Sequence, residues 1–135
     1  MHLRPTSVAA HVAVGKMTRS RATARKAGTA FERLIANAFA KHVDDRIDRR
    51  VKTGSNDKGD IGGLRFLGRR VVIECKDVSR LNLSGWVDES DVERGNDDAI
   101  AGLVVHKRRG HSDGLDQYVT CTVRDLVALL TGERP

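Results

Sequence analysis

Residues 54–77 read GSNDKGDIGGLRFLGRRVVIECKD. The fold turns on the segment Arg70–Lys76 near the end of that stretch. Three apolar β-branched residues, Val71, Val72 and Ile73, predict a buried central strand. Side chains alternate across a strand. Val71, Ile73 and Cys75 therefore share one face, and Val72, Glu74 and Lys76 share the other. A buried strand rarely presents two charges on one face without partners, because an unpaired buried charge is very costly. E-x-K alone is an ordinary surface pair. Asp60, at the mouth of the preceding strand, changes the weighing. If Asp60–Leu67 and Arg70–Lys76 form a hairpin, Asp60 can lie beside Glu74. Two adjacent carboxylates repel unless a cation sits between them.

Outward from that stretch, the chain predicts an α/β domain. Thr29–His42 is read as a helix, with Phe31, Leu34, Ile35, Ala38 and Phe39 forming one apolar stripe. Glu32 falls about 90° from the centre of that stripe, on the border between core and solvent. Arg46–Thr53 reads as an edge-like strand, GSNDKG as a turn, and Asp60–Leu67 as a short strand with paired glycines. NLSGWVDESDVERG reads as a helix with a Ser84 cap. AGLVVHK and QYVTCTV read as strands, and RDLVALL as a last helix ended by Gly132. The expected architecture is a mixed five-stranded sheet flanked by helices.

Composition bounds the function. The 135 residues fit one domain with a real core. No apolar run approaches the roughly 20 residues that cross a bilayer, and the N-terminus is a poor signal peptide. Cys75 and Cys121 sit in apolar runs and read as small buried hydrophobes in a reducing compartment. The net charge of +6 is accounted for by Arg4, Lys16, Arg19, Arg21, Arg25 and Lys26. The chain thus divides into a flexible basic arm, 1–26, and a neutral domain, 27–135. Such an arm suits a polyanion, because each neutralised phosphate releases counterions. Met17 is an alternative start, since MTRSRATARKAG reads as a basic leader by itself.

Carboxylate and carbonyl oxygens suit Mg²⁺, which keeps several waters around one or two carboxylates. Asp60, Glu74 and the Cys75 backbone carbonyl are the expected ligands, with Glu32 completing the shell or holding its waters. The Lys76 ammonium can orient the attacking water or stabilise negative charge developing on a phosphate. Lys107, Arg108 and Arg109, in the run HKRRGH, form the most basic cluster of the domain and read as a phosphate-binding loop. His106 and His111 lack the partners of a zinc site. Trp86, the single tryptophan, reads as core or subunit interface rather than as a base-stacking platform.

Glu32, Asp60 and Glu74-Cys75-Lys76 resemble the motif of the PD-(D/E)xK nuclease superfamily. The closer likeness is to archaeal-type Holliday junction resolvases and their phage-encoded relatives. GTAFERLIANAF resembles the family's first helix, with Gly28 before Glu32. GSNDKGDI resembles its glycine-serine segment leading to the metal-binding aspartate, here Ser55 and Asp60. VVIECK is similar to the catalytic strand, and AGLVVHKRRG to the strand after the second helix. The likeness covers roughly Gly28–Gly110. Gly59 stands where the superfamily's name has proline, and reads as a residue that only shapes the turn. The resemblance implies a restriction-endonuclease-like core that cleaves phosphodiesters by in-line attack of water. Mg²⁺ would be the cofactor, with Mn²⁺ as a substitute and no small-molecule cofactor. It further implies a homodimer on branched DNA in the cytoplasm of a bacterial or phage-infected host cell. Arg25, Lys26, Ser55, Lys58, Lys107, Arg108 and Arg109 are the expected DNA contacts. A nuclease acting on linear or flap DNA, and a non-catalytic DNA-binding module of the same fold, are the alternatives.

Overall fold

A computed structural model describes residues 20–51 and 56–135. The chain runs α1 (Arg21–His42), β1 (Asp48–Arg49), β2 (Ile61–Gly62), β3 (Arg65–Phe66), β4 (Arg69–Lys76), α2 (Leu83–Asn96), β5 (Ala101–His106), a 3₁₀ turn (Gly114–Asp116), β6 (Tyr118–Thr120) and α3 (Val123–Thr131). The sheet order is β1-β2-β4-β5-β6, with β3 attached to β4 alone. β4 and β5 are parallel and the other pairs antiparallel. The expected mixed α/β sheet with flanking helices is present. β3 is a sixth strand beside the five-strand path.

β4 is buried from Val71 to Glu74, and period two sorts its side chains as the sequence predicts. On one face, Ile73 and partly buried Cys75 meet Phe31, Ile35 and Ala36 of α1, together with Ile47, Ile61 and Val105. A smaller cluster joins Val71, Ile100 and Ala101 to Ala128 of α3. On the other face lies α2, whose buried residues are Trp86, Ser90 and Glu93. Gly102 in β5 sets how closely that helix approaches. A Cβ there would stand 2.6 Å from Ser90 Oγ and 3.1 Å from the Ser90 carbonyl oxygen.

Several boundaries differ from expectation. The first helix begins at Arg21, capped by Ser20, whose Oγ accepts the Thr23 amide at 3.1 Å. Arg25 and Lys26 are therefore exposed residues of α1. Residues 1–19, with the rest of the predicted arm and Met17, lie outside the described residues, as does Ser55. The expected Asp60–Leu67 strand is split after Gly62, where Gly63 adopts φ +92°. Leu67 and Gly68 both have positive φ. They make the two-residue turn that suits the twist of the β3–β4 hairpin. The cap of α2 is Asn82, whose Oδ1 accepts the Gly85 amide at 3.3 Å, rather than Ser84.

α3 begins with a reciprocal cap between Thr122 and Asp125 and ends at Gly132, φ +79°. Among the described residues, no helix is long and apolar enough to cross a membrane. Both cysteines are free and partly buried.

Candidate metal centre

The hairpin register decides whether Asp60 meets Glu74. Ile61 pairs with Ile73 in antiparallel β2–β4, so Asp60 falls opposite Glu74. The Asp60 amide donates to the Ile73 carbonyl at 2.9 Å, and Asp60 Oδ2 accepts the Cys75 amide at 2.8 Å. The aspartate thus ends the β2 ladder with its own side chain. The Lys76 carbonyl accepts the Lys107 amide at 3.0 Å on the β5 side. Backbone groups alternate along a strand, so the Cys75 carbonyl faces the Asp60 side.

Gly59 is not a neutral turn residue. It has φ +94°, and a Cβ there would stand 2.9 Å from the Ile73 carbonyl oxygen and 2.9 Å from Val72 Cγ1. Proline, with φ fixed near −65°, cannot take this conformation. The glycine lets the chain enter the hairpin against β4 and delivers Asp60 to its place.

Three carboxylates converge beside that junction. Asp57, Glu74 and Glu93 each offer an oxygen, and these oxygens all lie within 4.8 Å of one another. Glu74 is 3% exposed and Glu93 1%. Asp60 adjoins Glu74 within hydrogen-bond reach of its carboxyl, but stands outside the triad. Asp57 is set by two contacts. Its Oδ1 accepts the Gly59 amide at 2.9 Å, and its carbonyl accepts Asn96 Nδ2 at 2.8 Å. Asn96 closes α2 one turn beyond Glu93, so the same helix end holds the loop and supplies the acid.

The cluster is electrostatically unfavourable by itself. Glu74 Oε1 and both carboxyl oxygens of Glu93 are buried with no hydrogen-bond donor among the described residues. Burial, and then the carboxyls of Asp60, Glu93 and Glu89, push the Glu74 pKa far above the usual carboxylate range. Burial, with Asp57 and Glu89 nearby, pushes Glu93 up to about 7, although its contact with Glu74 acts in the opposite direction. Burial also raises the Cys75 thiol, helped by the charges of Asp60 and Glu32. A divalent cation would satisfy the orphaned oxygens and relieve the mutual repulsion. The triad could hold a metal ion.

Lys76 Nζ lies 2.7 Å from Glu89 Oε1 of α2. Burial lowers its pKa, but Glu89 and Glu74 outweigh burial and the net shift is upward. The ammonium stays charged at the edge of the acidic cluster.

Glu32 is placed differently from expectation. Its carboxylate takes Arg49 Nε and Nη2 at 3.1 and 3.0 Å. It belongs to α1, on the Cys75 face of β4, whereas Glu74 faces α2. The three converging carboxylates include Glu93 and Asp57, which sequence reasoning missed, and do not include Glu32. Glu32 shares a groove of about 540 Å³ with Arg25, Arg49 and Arg50. Lys58 is half-buried beside Asp57 in the entry loop. Lys107, Arg108 and Arg109 line a second groove, of about 520 Å³. Trp86 is buried, as read from the sequence. Comparison of the chain with models of known protein families, with curated proteins and with solved structures finds no match to any of them.

Proposed function

We propose that this chain is a Mg²⁺-dependent, structure-selective DNA endonuclease that resolves four-way junctions by phosphodiester hydrolysis, acting as a homodimer. The carrying observation is the convergence of Glu74, Glu93 and Asp57, with Asp60 adjoining Glu74 and a charged lysine on the same strand face. Oxygen-only donors favour Mg²⁺ or Mn²⁺ over zinc, which prefers nitrogen and sulfur. Glu74, Glu93 and Asp57 would hold the ion, with Asp60 and the Cys75 carbonyl at its border. Such an ion supplies Lewis-acid polarisation of a phosphoryl oxygen and activation of water.

The chain's own groups do the remaining work. Glu89 fixes the Lys76 ammonium, and the upward net shift of its pKa suits it to neutralising charge on the phosphate rather than to taking a proton. Burial of Glu74 and Glu93 keeps water from screening these interactions. The basic loop Lys107–Arg109 receives flanking phosphates. A twofold assembly is the physical expectation for cutting two symmetry-related strands.

The experiment is cleavage of an immobile four-way junction with and without Mg²⁺. Asp60→Ala is expected to lower the rate by at least about a hundredfold while junction binding in EDTA persists. Undiminished cutting by that variant would remove the proposal. Equal cutting of linear duplex and junction would transfer it to the linear or flap nuclease.

A further inference from the structure

The second groove lies at the C-terminal ends of the parallel strands β4 and β5. Ser79, Lys107, Arg108, Arg109, His111 and Tyr118 line its polar side. Its position relative to the acidic triad follows from register. Lys76 pairs with His106, and His106 with Tyr118. Directly opposed residues point to the same face of a sheet. Tyr118, His106, Lys76 and Glu74 therefore share the α2 face. Two strand spacings, roughly 10 Å, separate Lys76 from Tyr118.

The wall of the groove is built rather than incidental. Trp86 of α2 backs His106, with ring centroids 5.5 Å apart, and His106 backs Tyr118 at the same distance. His106 Nε2 is fixed to Thr120 Oγ1 at 2.8 Å. His106 is only 7% exposed, and its Nδ1 has no hydrogen-bond partner among the described residues. Tyr118, in contrast, is 50% exposed. The Arg108 guanidinium sits 5.4 Å from its ring centroid, in cation–π range. Arg109 is held by Asp77 at 2.8 Å yet stays half-exposed.

A half-exposed aromatic ring backed by His106, with one guanidinium against it and Lys107 and Arg109 along the same groove, is suited to a base and its phosphate. A duplex keeps its bases stacked inside and cannot offer one to the ring. We propose that this groove receives an unpaired nucleotide next to the cleaved phosphate, with its base on Tyr118 and its phosphate on Lys107 and Arg109. This rests on the nuclease reading and gives that reading its selectivity. The feature recognised is then an unpaired base, which a flap supplies outright and a branch point supplies once its terminal pair opens, and which uninterrupted duplex does not.

The test is fluorescence anisotropy in EDTA. A labelled ten-nucleotide thymidine strand and a blunt duplex of equal length are titrated with the full chain, with Tyr118→Ala and with Tyr118→Phe. The wild-type chain should favour the single strand. Base stacking on an aromatic ring predicts about a tenfold loss for Tyr118→Ala on the single strand, less than about a twofold change on the duplex, and recovery in Tyr118→Phe. Unchanged single-strand affinity in Tyr118→Ala, equal loss on both ligands, or no recovery in Tyr118→Phe overturns the proposal. Cleavage in Mg²⁺ separates the two readings. Tyr118-dependent binding without any cutting would sink the nuclease and keep the groove; junction cutting with Tyr118 dispensable for single-strand binding would do the reverse.

Discussion

The two faces of β4 obey different rules. On the α1 face, Ile73 meets Phe31, Ile35, Ile61 and Val105 in an apolar core. On the α2 face, its neighbour Glu74 meets Glu93, Asp57 and Asp60. One strand thus carries a contact that stabilises the fold and, one residue later, a group whose burial opposes folding. The difference teaches that the apolar core and the acidic cluster are divided on this strand by side-chain parity. The two should therefore respond separately to substitution.

The sharpest way to break that division is to exchange the consequences of adjacent residues. Glu74→Gln should reduce junction cleavage by about a thousandfold or more, and its melting temperature in EDTA should not fall, since a neutral amide replaces a repelled carboxylate. Ile73→Ala should lower stability by about 2–5 kcal/mol through lost burial and a cavity. Below its melting transition, its residual cleavage should stay near the wild-type rate. Gel assays and urea unfolding read the two quantities. Destabilisation by Glu74→Gln on the scale of Ile73→Ala would erase the distinction.

A gentler perturbation uses pH. The folded-state pKa of Glu93 is raised from 4.5 to about 7. A carboxylate so shifted binds its proton more tightly when folded. Its contribution is complete below about 4.5 and is lost as pH rises through about 7. In EDTA, Glu93 should therefore account for a loss on the order of 3 kcal/mol between pH 4.5 and 8, in addition to the loss that the raised Glu74 pKa brings over the same window. Glu93→Gln should make the slope shallower by its own share, and Mg²⁺ at pH 8 should restore stability to the wild-type chain but not to the variant. Parallel melting curves for the two proteins across this window would contradict the buried-acid account.

The smallest effect belongs to neither face. Arg33 and Asp48 form a 2.6 Å ion pair with side chains about half and two-thirds exposed. Arg33→Ala should change unfolding by less than about 0.5 kcal/mol. A larger value would mean that the start of β1 depends on this pair.

Much of the apolar face was legible in the sequence, because apolar periodicity is the signal that burial leaves. Most of the α1 stripe and the parity of β4 follow from it, and the Asp60–Glu74 meeting follows from the hairpin that joins their strands. The early start of α1 was hidden because its first turns, RATARKAG, form helix by propensity and contain no large apolar residue. Glu93 was missed for a related reason. The buried residues of α2 are Trp86, Ser90 and Glu93. They recur at helical spacing, but two of the three are polar, so the pattern reads as surface. Asp57 was concealed in a stretch already explained as turn chemistry. An i, i+4, i+7 scan that admits acids would have found Glu93. Only the fold brings Asp57 to it.

The missing side chain at Gly102 has a consequence for all of this. Because α2 rests on that backbone through Ser90, the lone hydrogen at 102 works as a spacer one atom thick. Glu89 and Glu93 ride on the helix it seats. A single methyl inserted there would lift the lever that carries both acids, detuning the centre from the opposite end of the neighbouring strand without touching any oxygen in it.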